Sequence, residues 1–279
     1  MTDEVSFRLL GPLEIWRSGR QIAISAPRKL TVLAALLLQA NHTVSTAQLI
    51  AAVWHERPPA TAVNQIAICI AALRRALAPQ SGMIATRPSG YQLNAPPGAL
   101  DLERVEALVG RGRSRRREGR IADAAADLRE ALTNWRGPVL CGITSAALQP
   151  HVAAWEERRL AVAEEAFALD LQLGRHDTIV AELAAFVATH PLRERPRGLL
   201  MLALYQSGRQ AEALVVFRDT RRMLDEELGL QPSTELQELE RSILVQDPRL
   251  LRPTRHRTPR ARARLQSNPQ GRGATRPGR

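Results

Sequence analysis

This chain is poorest in the residues that carry catalytic chemistry. Its two cysteines, Cys69 and Cys141, have no CxxC partner and no metal-ligand spacing, so they read as small apolar side chains in a reducing compartment. Six scattered histidines form no cluster with them. There is no HExxH, no GxSxG and no GxxxxGK[ST], which excludes the commonest zinc-hydrolase, serine-hydrolase and phosphate-loop chemistries. The chain is therefore expected not to be an enzyme and to need neither cofactor nor metal. No apolar run reaches the roughly 18 residues of a membrane span, and the first residues, MTDEVSFRLL, are acidic where a secretory leader is basic. A cytoplasmic, nucleoid-associated protein with no membrane partner is the expectation. Aromatics are 4% of the chain and Lys29 is the only lysine, whereas Ala, Leu and Arg abound, which favours a mainly helical protein.

At 279 residues, 44% of them apolar, there is material for two cores. The net charge of +11 is unevenly placed. Residues 1–97 hold nine basic and four acidic side chains, 98–247 hold 20 and 24, and 248–279 hold ten and none. Most of the excess thus lies in a Pro- and Gly-containing tail, 248–279, that cannot bury enough surface to fold and is expected to be disordered. Such a tail can add salt-sensitive, sequence-independent phosphate contacts.

In chain order, residues 5–24 offer short β-prone runs broken at Gly11-Pro12 and Ser18-Gly19, which predicts two or three antiparallel strands. Pro27 opens a helix to Leu38, with Arg28 and Lys29 at its start working against the helix dipole, as either solvated bases or contacts to an anion. Ser45 and Gln48 form a capping-box pattern for a helix over Thr46–Trp54. A loop with Pro58-Pro59 leads into ATAVNQIAICIAALRRAL, residues 60–77. At 100° per residue Val63, Ile66, Ile70, Leu73 and Leu77 fall within about 80° and form the predicted core stripe. The opposite face, Thr61, Asn64, Gln65, Ile68, Ala71, Ala72 and Arg75, holds no acid. By itself this helix could enter a DNA major groove, face solvent or pack on a partner. MIATR, Pro88-Ser89-Gly90 and YQL then predict a hairpin with Arg87 at its tip. A small sheet, three helices and a terminal hairpin together predict a winged helix-turn-helix.

Five segments in this order, LLGPLEIW, PRKLTVLAALLLQAN, VSTAQLIAAVW, PPATAVNQIAICIAALRRAL and TRPSGYQL, resemble the OmpR-type winged helix of Streptomyces antibiotic regulatory proteins. WRGP, HPLRERPRGLLMLALYQSGRQAEAL and EELGLQP resemble the bacterial transcriptional activation domain of the same family. The resemblance spans roughly residues 7–248 and stops before the tail. It implies a transcriptional activator that binds repeated promoter sites as neighbouring protomers, recruits RNA polymerase and serves a secondary-metabolite gene cluster. Family members carry more polar or bulkier residues where this helix has Ala67, Cys69, Ala71 and Ala72, which implies heavier reliance on DNA shape here.

After a linker, NAPPGA at 94–99, the chain turns helical and repetitive. Gly119, Gly174 and Gly208 are each followed at five residues by Ala124, Ile179 or Ala213, and at nine by Leu128, Leu183 or Phe217. The last two glycines stand 34 apart, the period of a tetratricopeptide repeat, which predicts a helical solenoid interrupted by about 21 residues around GPVLCGITSAALQPH. Trp135, Trp155, Phe167, Phe186 and Phe217 are expected in its core. Five arginines between Arg113 and Arg120 read as a solvated helix end or as a second DNA or polymerase contact. Glu156-Glu157 and Glu164-Glu165 read as a solvated face with partners one turn away.

The expected architecture is mainly α: a winged helix-turn-helix DNA-binding domain over 1–97, a tetratricopeptide-like activation domain over 98–247 and the basic tail. Thr61, Asn64, Gln65, Ile68 and Arg75 are expected to face bases, Asn or Gln bridging adenine and Ile68 meeting a thymine methyl. Arg28, Lys29, Arg74 and the wing's Arg87 are expected on the backbone or in the minor groove. A protein-binding scaffold without DNA readout, and a repressor of the same build, are the competing readings.

Overall fold

The computed structural model describes residues 5–78 and 81–251. Strands β1 (Val5–Arg8), β2 (Glu14–Arg17) and β3 (Arg20–Ile22) form an antiparallel meander, with Phe7 opposite Ile15 and Trp16 opposite Gln21. Ser18 and Gly19 both have positive φ, 45° and 78°, as a two-residue turn matched to strand twist requires. Helix α1 (Pro27–Leu38) runs through the centre of the N-terminal unit, and Thr31 to Leu37 are all buried. Its burial is therefore wider than the single stripe its spacing suggests, because α3 (Ala62–Ala76), α2 (Thr46–Trp54) and strand β6 (Gly90–Leu93) cover different sides.

The capping box forms as expected. Ser45 Oγ accepts from the Gln48 N–H at 3.1 Å, and Gln48 Oε1 accepts from the Ser45 N–H at 2.9 Å. The hairpin of β5 (Ile84–Arg87) and β6 is joined by a short β4 (Thr43–Ser45), giving the sheet order β4-β6-β5. Gly90 makes that third pairing possible, since a Cβ there would lie 2.1 Å from the Val44 carbonyl oxygen.

Among the described residues seven α-helices follow: α4 (Asp101–Arg117), α5 (Ile121–Leu132), α6 (Gln149–Gln172), α7 (His176–Thr189), α8 (Glu194–Gln206), α9 (Gln210–Leu228) and α10 (Thr234–Leu244). The three glycines that mark the repeat have φ of 79°, 74° and 74°. Each closes its helix with the same bond pair: Gly119 and Arg120 donate to Arg116 and Arg115, Gly174 and Arg175 to Leu171 and Asp170, Gly208 and Arg209 to Tyr205 and Leu204. Ala124, Ile179, Ala213, Leu128, Leu183 and Phe217 are all buried, so the repeat read from the sequence is real. Gly112 lets α4 and α5 close on each other, with the Ala124 carbonyl 3.2 Å from where its Cβ would be. Phe167 and Phe217 are buried, whereas Trp135, Trp155 and Phe186 are partly buried at the edges of the cores.

One hydrophobic core crosses from the N-terminal unit into the repeats, running from Val5, Phe7 and Leu33 through Leu102, Val109 and Leu128 to Val162 and Leu169. The expected linker 94–99 is non-helical but docked: Phe7 donates to the Ala99 carbonyl at 2.7 Å, and Ala95 and Ala99 are buried. The residues that interrupt the repeat form a strap over 133–148 that ties the two halves together. Its Arg136, Leu140 and Cys141 amides donate to Leu10, Leu9 and Gly11 carbonyls, and Ser145 Oγ donates to the Ala52 carbonyl at 2.7 Å at the end of α2. Asp101, in the first turn of α4, accepts from the Leu9 and Leu10 amides at 2.8 to 2.9 Å.

Three expectations need correction here. The acids of α6 are clamps between elements rather than a solvated face: Glu157 and Glu164 share Arg193 at 2.7 Å, Glu165 pairs with Arg113, and Glu156 accepts from the Val139 amide. In the basic run, Arg113 is paired with Glu165 of α6 and Arg115 with the buried Asp127 of α5, so part of it ties elements together, while Arg120 pairs with its neighbour Glu118 at an exposed helix end. The tail is not wholly without structure, because Pro248–Leu251 form a 3₁₀ turn whose Leu250 carbonyl accepts from Gln206 Nε2. Residues 252–279 lie outside the described residues.

Candidate nucleic-acid interface

The interface is set by how α3 is rolled against α1 and α2. Ala62, Ile66, Cys69, Ile70, Leu73 and Leu77 are buried, an arc turned by roughly 30° from the predicted stripe at 100° per residue. Val63, placed in the core by its spacing, is instead 62% exposed, and Cys69 takes the inward position. The physical reason is that α3 packs between two helices, so a small thiol and Ala62 suit the tight side better than a β-branched valine. Thr61, Asn64, Ala67, Ile68, Ala71 and Arg75 are exposed, while Gln65 and Ala72 are half-buried.

Arg28, Gln65 and Thr61 are brought together. Arg28 Nη1 donates to Gln65 Oε1 at 3.0 Å, Gln65 Nε2 donates to Thr61 Oγ1 at 2.9 Å, and the Arg28 guanidinium carbon lies 5.5 Å from the centre of the Trp54 ring. Lys29 follows Arg28 in the first turn of α1 and is half-buried. Burial pushes the Cys69 thiol above its ordinary value, and the Lys29 and Arg28 charges pull it partly back. Arg74 sits differently from the expectation: its Nε donates to the Ile84 carbonyl at 2.9 Å and its Nη2 to Thr86 Oγ1 at 2.8 Å. It therefore splints α3 to the wing. Arg87 Nε donates to Gln92 Oε1 at 2.8 Å, and Gln92 Nε2 donates to the Asn41 carbonyl at 2.8 Å, so the wing arginine is steered by the sheet behind it.

Among the described residues, Asn64 and Arg75 are left with no hydrogen bond or ion pair from their side chains, and so is Arg57 in the loop between α2 and α3. Arg57 was missed by sequence reasoning, and its only signal was a base beside Pro58-Pro59 where the chain turns. Of the acids in this unit, Glu14 is engaged by Arg136 at 2.7 Å and Arg8 at 3.6 Å on the sheet. The α3 surface itself has none. Arg75 on α3, Arg28 held to Gln65 at its edge and Arg57 in the loop before it are exposed bases of this unit, and Glu56, also exposed, stands next to Arg57 in that loop. No His/Cys/Asp/Glu group fit to hold a metal is found among the described residues.

A capped short helix, a turn, a long helix exposing one uncharged-to-basic face and a paired hairpin make a winged helix-turn-helix, here continuous with a helical repeat: the build of a transcriptional regulator. The comparisons agree. Residues 19–93 match the family described as transcriptional regulatory protein, C terminal, and residues 100–244 match the bacterial transcriptional activator domain. The chain is 43% identical over 245 residues to regulatory protein AfsR of Streptomyces coelicolor, covering 88% of this chain but only 24% of that one. It is 34% identical over 254 residues to regulatory protein DnrI of Streptomyces peucetius, covering 88% of this chain and 93% of the relative. A solved structure of Mycobacterium tuberculosis EmbR, in complex with a low affinity phosphopeptide, superposes with a TM-score of 0.84 at 33% identity, covering 88% of this chain and 66% of that one. The chain belongs to the Streptomyces antibiotic regulatory proteins, transcriptional regulators with an OmpR-type winged helix and a bacterial transcriptional activator domain. It spans about a quarter of the length of its AfsR relative. No helix among the described residues is long and apolar enough to cross a membrane.

Proposed function

We propose that the chain is a sequence-specific DNA-binding activator in which α3 enters the major groove of promoter DNA and the wing addresses the backbone or minor groove alongside. The observation that carries this reading is the exposed face of α3, which bears Arg75 and no acid, with Arg28 hydrogen-bonded to Gln65 at its edge. Asn64 and Arg75 are the polar base readers. Gln65 and Thr61 support them through the Arg28 network and can add contacts by exchanging those bonds. Arg28, Lys29, Arg57 and Arg87 neutralise phosphate, and Arg74 acts through the wing it positions. Family membership supports recruitment of RNA polymerase by the helical repeats, binding as adjacent protomers on repeated sites, a cytoplasmic location and a role in a secondary-metabolite gene cluster.

The test is a binding titration of the full chain over salt and operator variants, because a fragment ending at residue 97 would uncover the core it shares with the repeats. Arg75→Ala is expected to lose about 1–3 kcal/mol of discrimination at one base pair, or, if it meets only phosphate, to lower the salt slope by about 1 with specificity intact. A variant unchanged in both would remove Arg75 from the interface. Absence of any salt-sensitive binding by the full chain would favour a protein-binding scaffold.

A further inference from the structure

Two large apolar side chains stand uncovered on the face of α3 that the core does not use. Val63 is 62% exposed and Ile68 56% exposed. They lie five residues apart, about 7.5 Å along the helix and roughly 140° around it, so they flank the face, with Asn64, Ala67 and Ala71 between them. The alanines project only a methyl each, which lets the helix backbone come close to whatever lies opposite. A solvated face would carry charges or amides at these positions, and here only Asn64 and Arg75 are polar among them.

Resting on the reading of α3 as the groove-entering helix, we propose that Val63 and Ile68 are specificity-determining residues that read thymine through its C5-methyl group. The thymine methyl is the one apolar group on the major-groove edges of the bases. Arg75 on this face and Arg28 held to Gln65 at its edge, on a helix that carries no acid, select a polyanion over an apolar protein surface, and an apolar flank beside them has the thymine methyl as its complement. Because the two side chains sit on opposite flanks, each addresses a different base position of one half-site. Asn64 supplies the polar contact between them. Selectivity then comes from methyl burial as well as hydrogen bonds, and a thymine-for-cytosine exchange at either position is felt even where no hydrogen bond is lost.

The experiment selects bound sites from random duplex DNA with the full chain, then replaces each thymine of the preferred site in turn by deoxyuridine, which deletes the methyl and nothing else. Two positions are expected at which the replacement weakens binding about three- to fivefold. Val63→Ala should abolish the sensitivity at one of them and Ile68→Ala at the other, with the salt dependence and the melting temperature of the free protein unchanged. The proposal is overturned if every deoxyuridine site binds like its parent, or if the double variant keeps the wild-type sensitivity. It is also overturned if the double variant changes the oligomeric mass of the protein without DNA, which would make the facet a contact between copies. Failure to enrich any sequence, with no salt-sensitive binding, would instead bring down the DNA reading on which this one rests.

Discussion

Asp101→Ala should loosen the joint between the winged helix and the repeats more than any other single polar substitution there. Its carboxylate accepts from the Leu9 and Leu10 amides at 2.8 to 2.9 Å, and both leucines are fully buried. Alanine leaves two buried donors without a partner, each worth about 1–3 kcal/mol. The carboxylate's own burial returns part of that, so a net loss of about 2–4 kcal/mol is expected. For a chain of this size that is a fall in melting temperature of about 5–15 °C. Asp101→Asn keeps one accepting oxygen and should lose about half as much. Burial pushes the Asp101 carboxyl above its ordinary 3.8, with the Leu10 and Leu9 amides and Arg136 pulling back. The folded state therefore holds this proton more tightly than the unfolded chain. That stabilisation is complete below 3.8 and fades as pH rises through the folded value, so the advantage of wild type over the asparagine variant should narrow with rising pH. Thermal unfolding across pH, with hydrogen exchange at Leu9 and Leu10, measures both effects. An alanine variant that loses less than about 1 kcal/mol with both amides still protected would refute the accounting.

Three further outcomes follow from the same geometry. Arg129 clamps the buried Asp170 at 2.7 Å and reaches Glu182 at 2.6 Å from α5, so Arg129→Ala should lose about 2–4 kcal/mol in urea unfolding, tempered only by Arg175 at 3.0 Å from Asp170. Gly90→Ala drives a Cβ into the Val44 carbonyl and should unpair β4 from the wing, weakening DNA binding while the helical circular dichroism signal is kept. Arg193 holds the Glu157 carboxyl below its ordinary 4.5, so the stability this pair adds is present above 4.5 and lost as pH falls below it. Acid unfolding of wild type and Glu157→Gln should therefore converge as pH drops, and curves that stay parallel would rule the pair out as a contributor.

The elements that were legible in the sequence are those with local causes. Pro27 at a first helical turn, the Ser45/Gln48 capping box, the Ser18-Gly19 turn and the glycines that close α4, α6 and α8 each act within a few residues, and each stands where the sequence puts it. The helix that carries the interface was legible in extent but not in roll. Its 100° periodicity fits several orientations, and only packing against both α1 and α2 selects the one that buries Cys69 and exposes Val63. Partnering was likewise beyond reach: Arg74 and Arg75 are neighbours of one type, yet one is bound to the wing and the other is free because of where β5 lies.

By itself, then, the sequence determined the helices, the wing and the repeat of glycine-closed helix pairs, because capping, turn geometry and periodicity are set by short-range sterics and hydrogen bonding; the family was legible through the resemblance of its motifs. The tertiary structure alone decided that the interruption at 133–148 is a strap, that one core joins the winged helix to the repeats, and which side of α3 is left exposed. Those outcomes depend on contacts between residues distant in the chain, such as Asp101 with Leu9, Ser145 with Ala52 and Leu140 with Leu9, and no local pattern encodes them.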